Sequence, residues 1–132
     1  MWEWLCYDDG GDEDLWDRWY HEVDDAVRGK HDTIIDFLEC RGAHEWRINQ
    51  HTEKINDDLI EIRIHGSVQH RLLGFFGPAR GQFTFVISCT HKKNVYSPKS
   101  AKKTAAARKK SIEKGTANVR ACQRPKDVDE AE

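Results

Sequence analysis

Two neighbouring stretches of the sequence carry side chains that can hold phosphates and transfer protons. The stretch EIRIH places Glu61, Arg63 and His65 at alternate positions, and the stretch QHRLL that follows contains Arg71. Arginine donates two parallel hydrogen bonds to phosphate oxygens and keeps its charge. Histidine and glutamate exchange protons, and the ordinary pKa of histidine lies close to neutral pH. These residue types, brought together, are typical of a pocket for a phosphodiester.

Two β-strands, 59–65 and 69–76, are predicted to position these groups. Side chains alternate between the two faces of a strand, so Glu61 and Arg63 share one face. If Arg71 falls on the same face of the next strand, both guanidinium groups lie in one small concavity. The alternative for Glu61 and Arg63 is an ion pair on a solvated strand. His70 alternates with Arg71 and is predicted to face the core.

A third strand, 83–91, ends at a further titratable group. His91 is the candidate for proton transfer, with Glu61 and Tyr96 in reserve. Phe83, Phe85, Ile87 and Cys89 are predicted to share one face of this strand. The lysines that follow are predicted to bind backbone phosphates and to steer association; these are Lys92, Lys93, Lys99, Lys102 and Lys103.

The charge of the chain is strongly asymmetric. The formal net charge is −2, but residues 1–25 contain ten carboxylates against one arginine, and residues 92–114 contain nine cations against one glutamate. This asymmetry predicts that the basic end meets a polyanion such as nucleic acid while the acidic end stays away from it. The alternative is that the lysines only keep a helix in solution.

The rest of the pattern predicts an α+β fold with the order β-α-α-β-β-β-α. A small, mainly antiparallel sheet packs on an N-terminal helical hairpin and leaves its other face partly open. Residues 42–58 are predicted to be a loop, and a basic helix runs from Ser97 or Pro98 to about Lys114, where Gly115 ends it. The predicted domain spans 1–115, and the tail 116–132 is predicted to be disordered.

The cysteines do not predict a metal site. The four cysteines lie far apart without a CxxC pair, and the histidines do not complete a zinc site with them. Cys6, Cys40 and Cys89 are predicted to be buried, reduced thiols. The sequence shows neither a stretch of about 18 apolar residues, as a membrane helix needs, nor a secretory signal, so a cytoplasmic location is expected.

The motifs EIRI, HRLLGFF and CTHKKN, followed by a basic helix, resemble the phage-derived branch of the RelE/HigB toxins of type II toxin–antitoxin systems. The resemblance covers about Trp4 to Lys114 and implies a RelE-like fold. It implies a ribosome-dependent mRNA endonuclease that needs no cofactor. It also implies a HigA-like helix-turn-helix antitoxin as a partner.

The resemblance also suggests residue roles. Arg71 matches the strand arginine that contacts the scissile phosphate in such nucleases, and Arg63 matches a basic position nearby. Lys92 lies where the family gathers residues at the end of the last strand, and Tyr96 or His91 stands in for a tyrosine or histidine near the C-terminus. The reaction implied is metal-independent attack of the RNA 2′-hydroxyl on its own phosphate.

A second class of function stays open from the sequence. The same fold includes ParE-like proteins that poison DNA gyrase by binding it, without cutting RNA. A phage protein with another host target is a third reading. A sparse active site favours these binding functions, whereas the cluster of glutamate, histidine and two arginines favours the nuclease.

Overall fold

The computed structural model describes residues 2–8, 15–46, 51–56 and 58–122. Its strands are β1 (Glu3–Asp8), β2 (Thr52–Lys54), β3 (Ile60–Ile64), β4 (His70–Phe76), β5 (Gln82–Lys92), β6 (Val95–Ser97) and β7 (Asn118–Ala121). Its helices are α1 (Leu15–Glu22), α2 (Asp25–Glu39), α3 (Ala43–Trp46) and α4 (Ala101–Glu113). None of the helices in this part of the chain is long and apolar enough to cross a membrane.

The described strands belong to one sheet, in the order β2-β3-β4-β5-β1-β7, with β6 paired to β5. The pairing of β1 with β5 is parallel, and the other pairings are antiparallel. The predicted strands 59–65, 69–76 and 83–91 correspond to β3, β4 and β5. The predicted α+β class with a mainly antiparallel sheet is therefore confirmed.

The helices α1 and α2 pack on one face of the sheet and form an aromatic-rich core. The Asp24 carboxylate caps α2 by accepting a hydrogen bond from the Val27 amide at 2.9 Å, which fixes the corner between the two helices. Apolar residues at helical spacing then face the strands. The core includes Trp16, Trp19, Tyr20, Ile34, Ile35 and Leu38 from the helices and Ile60, Ile62, Ile64 and Leu72 from the strands.

The helix α4 covers part of the other face of the sheet, which agrees with the prediction of a partly open face. Ala101, Ala105 and Ile112 of α4 are buried against Leu73 and Phe75 of β4. The α4 sequence has few large apolar residues, so its stripe is weak. Alanines at this spacing nevertheless let a helix lie close to the sheet, because they have almost no side chain to accommodate.

A β-bulge in β5 changes which side chains face each helix layer. Leu73 pairs with Ile87, but the next residue of β4, Gly74, pairs with Phe85, so β5 contains one extra residue. Phe85 therefore lies in the core under α1 and α2, whereas Ile87 and Cys89 lie in the core under α4. The prediction that Phe83, Phe85, Ile87 and Cys89 share one face is wrong for this reason.

The predicted loop 42–58 contains both α3 and β2. Trp46 of α3 is fully buried, and its indole N–H donates to the Leu38 carbonyl at 3.1 Å, which ties α3 to the end of α2. Thr52 of β2 pairs with Ile62 at the edge of the sheet. Both elements are too short for periodicity to reveal, and residues 47–50 and 57 lie outside the described residues.

The segment after α4 also departs from the prediction. The positive φ of 77° at Gly115 ends the helix, as predicted. The chain then forms β7, which pairs with β1, and a disulfide joins Cys6 to Cys122 across 116 residues of sequence. The prediction of a disordered tail is thus wrong for Asn118–Ala121, and residues 123–132 lie outside the described residues.

The disulfide also corrects the prediction of three buried thiols. Cys6 is oxidised, Cys40 is exposed, and Cys89 alone is both free and buried as predicted. The pairing of Cys6 with Cys122 depends on the contact between β1 and β7, which are the first and last strands of the described chain. No local pattern of residues carries that information.

The close approach of β4 and β5 at the bulge predicts that a larger side chain at position 74 destabilises the fold. A Cβ atom there would lie 2.3 Å from the Thr84 carbonyl oxygen and 2.7 Å from the Phe83 ring. We expect Gly74→Ala to lower the free energy of unfolding by about 2 kcal/mol or more in urea denaturation, because the backbone oxygen moves only if strand pairing is distorted.

The matched control is Gly29→Ala, inside α2, where an added Cβ meets nothing within 4 Å. It should raise the free energy of unfolding by roughly 0.5–1 kcal/mol through helix propensity. Equal stability of the two variants would contradict this account of the β4–β5 contact.

Candidate functional site

The pairing of β3 with β4 places Arg63 directly opposite Arg71. Glu61, two residues before Arg63, therefore lies on the same face of the sheet. This is the face covered by α4, because Leu73, the cross-strand partner of Glu61, packs in the α4 core. The prediction that both arginines and Glu61 share one face is confirmed, and that face points away from α1 and α2.

The Glu61 carboxylate contacts Arg63, Arg71 and Tyr96. It is 3% exposed, and its Oε2 accepts a hydrogen bond from Arg63 Nε at 2.7 Å. Its Oε1 accepts a hydrogen bond from the Tyr96 hydroxyl and lies 3.8 Å from Arg71 Nε. Glu61 and Arg63 thus form the ion pair that was the alternative interpretation, but its carboxylate is buried and not solvated.

The hairpin of β5 and β6 delivers Tyr96 to the cluster. Lys93 and Asn94 have φ values of 50° and 66°, as the two central residues of a tight type I′ turn require. His91 pairs with Tyr96 across the hairpin, and their ring centroids are 4.9 Å apart. The one sequence signal for this turn is Asn94, because asparagine tolerates positive φ better than most residues.

The cluster opens into a cleft of about 340 Å³. Four of the five predicted catalytic residues line it, together with one of the predicted phosphate-binding lysines. These residues are Glu61, Arg63, His91, Tyr96 and Lys102. The cleft therefore brings together groups from β3, β5, β6 and α4.

Arg71 does not line the cleft. It is 7% exposed, and its Nη1 donates to the carbonyl of His70 at 3.0 Å. Its Nε is buried without a hydrogen-bond partner, although it lies near the Glu61 carboxylate. Arg71 therefore contributes positive charge beside the Glu61 carboxylate but does not itself line the cleft.

The predicted phosphate-binding lysines fall into two groups. Lys92 and Lys93 are exposed at the β5–β6 hairpin, and Lys99 and Lys103 are exposed around the start of α4. Lys102 is the member of the set that lines the cleft, with its Nζ 5.3 Å from the centroid of the Tyr96 ring. The other four lysines lie outside the cleft lining.

Burial shifts the pKa values of several groups around the cleft. Burial, followed by the hydrogen bond to Glu61, raises the pKa of the Tyr96 hydroxyl, so Tyr96 stays a neutral phenol. Burial, followed by the charge of Glu61, raises the pKa of the Cys89 thiol to about 12, so Cys89 is not a nucleophile near neutral pH. Burial and then Arg71 lower the pKa of Arg63.

His70 belongs to the opposite face, as predicted. Its Nδ1 accepts a hydrogen bond from the Trp19 indole N–H at 3.1 Å, and burial is the main cause that lowers its pKa. A neutral histidine bonded to a core tryptophan supports α1 on the sheet. It takes no part in the cleft.

Glu53 is a residue of the cleft that the sequence pattern does not identify. This residue lies on β2, opposite Glu61, and its carboxylate forms an ion pair with Arg63 Nη2. Because β2 has three residues and was assigned to a loop, no pattern placed Glu53 beside the arginines. Glu53 also lines the cleft. In the described ranges, no group of three histidine, cysteine, aspartate or glutamate side chains is arranged to hold a metal ion.

Comparison with protein families gives one match. The family model described as "Phage derived protein Gp49-like (DUF891)" matches residues 18–110, which is more than half of the chain. The matched range begins in α1 and ends in α4, so it contains every residue that lines the cleft. No match was found among curated proteins, and none was found among solved structures.

The buried position of Glu61 makes a prediction about stability. Glu61→Gln keeps the size of the side chain but leaves Arg63 and Arg71 facing each other without the buried negative charge. We expect a loss of roughly 3 kcal/mol in the free energy of unfolding, measured by urea denaturation.

Glu53→Gln is the matched control, because it removes a carboxylate from the same arginine at a side chain that is 56% exposed. It should cost less than about 1 kcal/mol. A small and equal effect of both substitutions would show that Glu61 does not hold the cluster together.

Proposed function

The chain belongs to the Gp49-like family of phage-derived proteins, a toxin-like family of the RelE/HigB type, and on this basis we propose that it is the toxin of a type II toxin–antitoxin pair. The proposed activity is cleavage of messenger RNA on the ribosome, which stops translation. The match to a phage-derived family supports the resemblance found in the sequence. The HigB-like subtype and the nuclease activity are parts of the proposal.

One observation carries the proposal of nuclease activity. A single cleft contains an arginine, a lysine, a histidine and a tyrosine, which are Arg63, Lys102, His91 and Tyr96. Cleavage of RNA by its own 2′-hydroxyl needs a base for that hydroxyl, positive charge for the phosphorane-like transition state, and an acid for the leaving oxygen. The cleft supplies a group of each kind, so this reaction does not require a metal ion.

In the proposed reaction, neutral His91 takes the proton of the 2′-hydroxyl as O2′ attacks the phosphorus. The bond between phosphorus and O5′ breaks, which leaves a 2′,3′-cyclic phosphate on one fragment. The Tyr96 hydroxyl, which donates to Glu61 in the structure, turns from that carboxylate to the departing O5′ and gives it a proton, and Tyr96 then regains a proton from solvent. Arg63 and Lys102 offset the negative charge that develops on the phosphate oxygens, and the buried Arg71 adds to the positive potential.

This chemistry selects RNA, because DNA has no 2′-hydroxyl. The exposed lysines of the hairpin and around the start of α4 extend the positive surface beyond the cleft, where backbone phosphates of mRNA or ribosomal RNA would lie. These are Lys92, Lys93, Lys99 and Lys103. We propose a HigA-like helix-turn-helix antitoxin as the partner that covers this surface and so neutralises the toxin in the cytoplasm.

One feature favours the second candidate, a ParE-like protein that binds gyrase. Arg63 is paired with both Glu53 and Glu61, so part of the positive charge in the cleft is neutralised. The two candidates are separated by one pair of assays. The nuclease predicts cut mRNA in a translating extract, mapped by primer extension, and the gyrase poison predicts trapped cleavage of supercoiled plasmid with intact mRNA.

The role of His91 makes a kinetic prediction. Because His91 transfers a proton in the rate-limiting chemistry, His91→Ala should lower the turnover of mRNA cleavage by about 100-fold or more. Its affinity for RNA should change little. Full cleavage by His91→Ala in the ribosome-dependent assay would contradict the assignment.

Lys102→Ala is the contrasting variant. It should weaken RNA binding and reduce the slope of log affinity against log salt concentration by about one unit, because one phosphate contact is lost. Lys30→Ala is the remote control, since Lys30 lies on α2 and bonds the His65 carbonyl. It should leave both the salt slope and the turnover unchanged.

A further inference from the structure

We infer that Glu53 is a latch on the active-site arginine, occupying the position on Arg63 that an RNA phosphate takes during binding. The inference rests on the proposed function and describes how its site is regulated. It predicts that the resting cleft rejects small anions and accepts only a polyanion with enough contacts to displace Glu53.

Two of the three guanidinium nitrogens of Arg63 are paired with carboxylates. Its Nε donates to Glu61 at 2.7 Å, and its Nη2 pairs with Glu53. Carboxylate and phosphate oxygens accept the same geometry from a guanidinium group. A phosphate that binds the edge of Arg63 formed by Nε and Nη2 must therefore replace one of the two carboxylates.

The two carboxylates differ in how firmly they are held. Glu61 is buried and also bonds Tyr96, so its removal from Arg63 would leave a buried charge with less compensation. Glu53 has a side chain that is 56% exposed, and an exposed ion pair of this kind contributes little. Glu53 is consequently the carboxylate that an incoming phosphate displaces.

The register of the sheet explains why Glu53 rests on Arg63 in the absence of RNA. Glu53 is directly opposite Glu61 across β2 and β3. Like charges opposite each other repel unless a cation lies between them. Arg63 supplies that cation. When a phosphate binds Arg63, the arginine offsets less of the repulsion between Glu53 and Glu61, and the position of Glu53 becomes unfavourable.

The release requires rotation of a side chain and no opening of the sheet. The backbone around β2 is held at both ends, by the hydrogen bond from the Arg63 amide to the His51 carbonyl and by the bond from the Ile55 amide to the Leu59 carbonyl. The Glu53 side chain is exposed and can turn into solvent. Lys102 in the cleft and the lysines of the hairpin supply the further phosphate contacts that a polymeric RNA offers and a free anion lacks.

The test measures binding separately from cleavage. The probe is a fluorescein-labelled, mixed-sequence 2′-O-methyl RNA, which cannot be cleaved by a 2′-hydroxyl, and binding is followed by fluorescence anisotropy. Glu53→Gln should lower the Kd by about threefold to tenfold. It should also make inorganic phosphate a better competitor.

Asp58→Asn is the matched control. Asp58 is an exposed carboxylate beside α4 that pairs with Lys109 and not with Arg63, so its removal changes the net charge equally. It should change the Kd by less than about twofold. The decisive comparison repeats Glu53→Gln in an Arg63→Gln background, where the gain in affinity should disappear because the latch acts through Arg63.

The outcomes distinguish failure of the latch proposal from failure of the nuclease proposal. An unchanged Kd in Glu53→Gln, or an equal gain with and without Arg63, overturns the latch even if unmodified mRNA is cut in the parallel assay. Tighter binding that depends on Arg63, without cleavage of unmodified mRNA by any variant, supports the latch and overturns the nuclease. Failure of every variant to bind RNA overturns both.

Discussion

The site depends on one buried carboxylate. The pairing of β3 with β4 places two arginines directly opposite each other, an arrangement that repels unless a negative charge lies between them. Glu61 supplies that charge and also accepts the hydrogen bond of Tyr96, so it orders the arginines and the β5–β6 hairpin together. A buried carboxylate with these partners is a fixed part of the structure, and the groups around it are positioned before any ligand arrives.

One face of the sheet carries the aromatic core, and the other face carries the cleft. The face under α1 and α2 contains the aromatic core, in which tryptophans stack on one another and His70 bonds Trp19. The face under α4 is apolar near its centre and polar at the end where β6 returns, and the cleft opens there. Because α4 contacts the sheet mainly through alanines, Lys102 and Lys103 at its start remain exposed, and Lys102 lines the cleft. One helix thus contributes both to the second core and to the positive surface.

Local sequence patterns predict the site residues on β3 and β4, at the centre of the site. They do not predict the bulge in β5 or the short strands β2 and β7, for physical reasons. Alternation along β3 and β4 is local, so it placed Glu61, Arg63 and Arg71 on one face. The bulge in β5 lies within three consecutive apolar residues, Phe85, Val86 and Ile87, where one inserted residue leaves no trace in the pattern. Glu53 lies on β2, which has three residues, and β7 has four residues. Strands this short form only because a longer neighbouring strand pairs with them. The contact of Cys6 with Cys122 depends on that same long-range pairing.

The central claim is that RNA phosphate is bound in the cleft by Arg63. The most direct measurement is an NMR titration of the ¹⁵N-labelled protein with the non-cleavable 2′-O-methyl RNA, following the arginine Nε–H resonances. The account predicts a large shift for Arg63 and none for Arg28, which lies on α2 and bonds Asp25. An unchanged Arg63 resonance, with shifts confined to the face formed by α1 and α2, would contradict it.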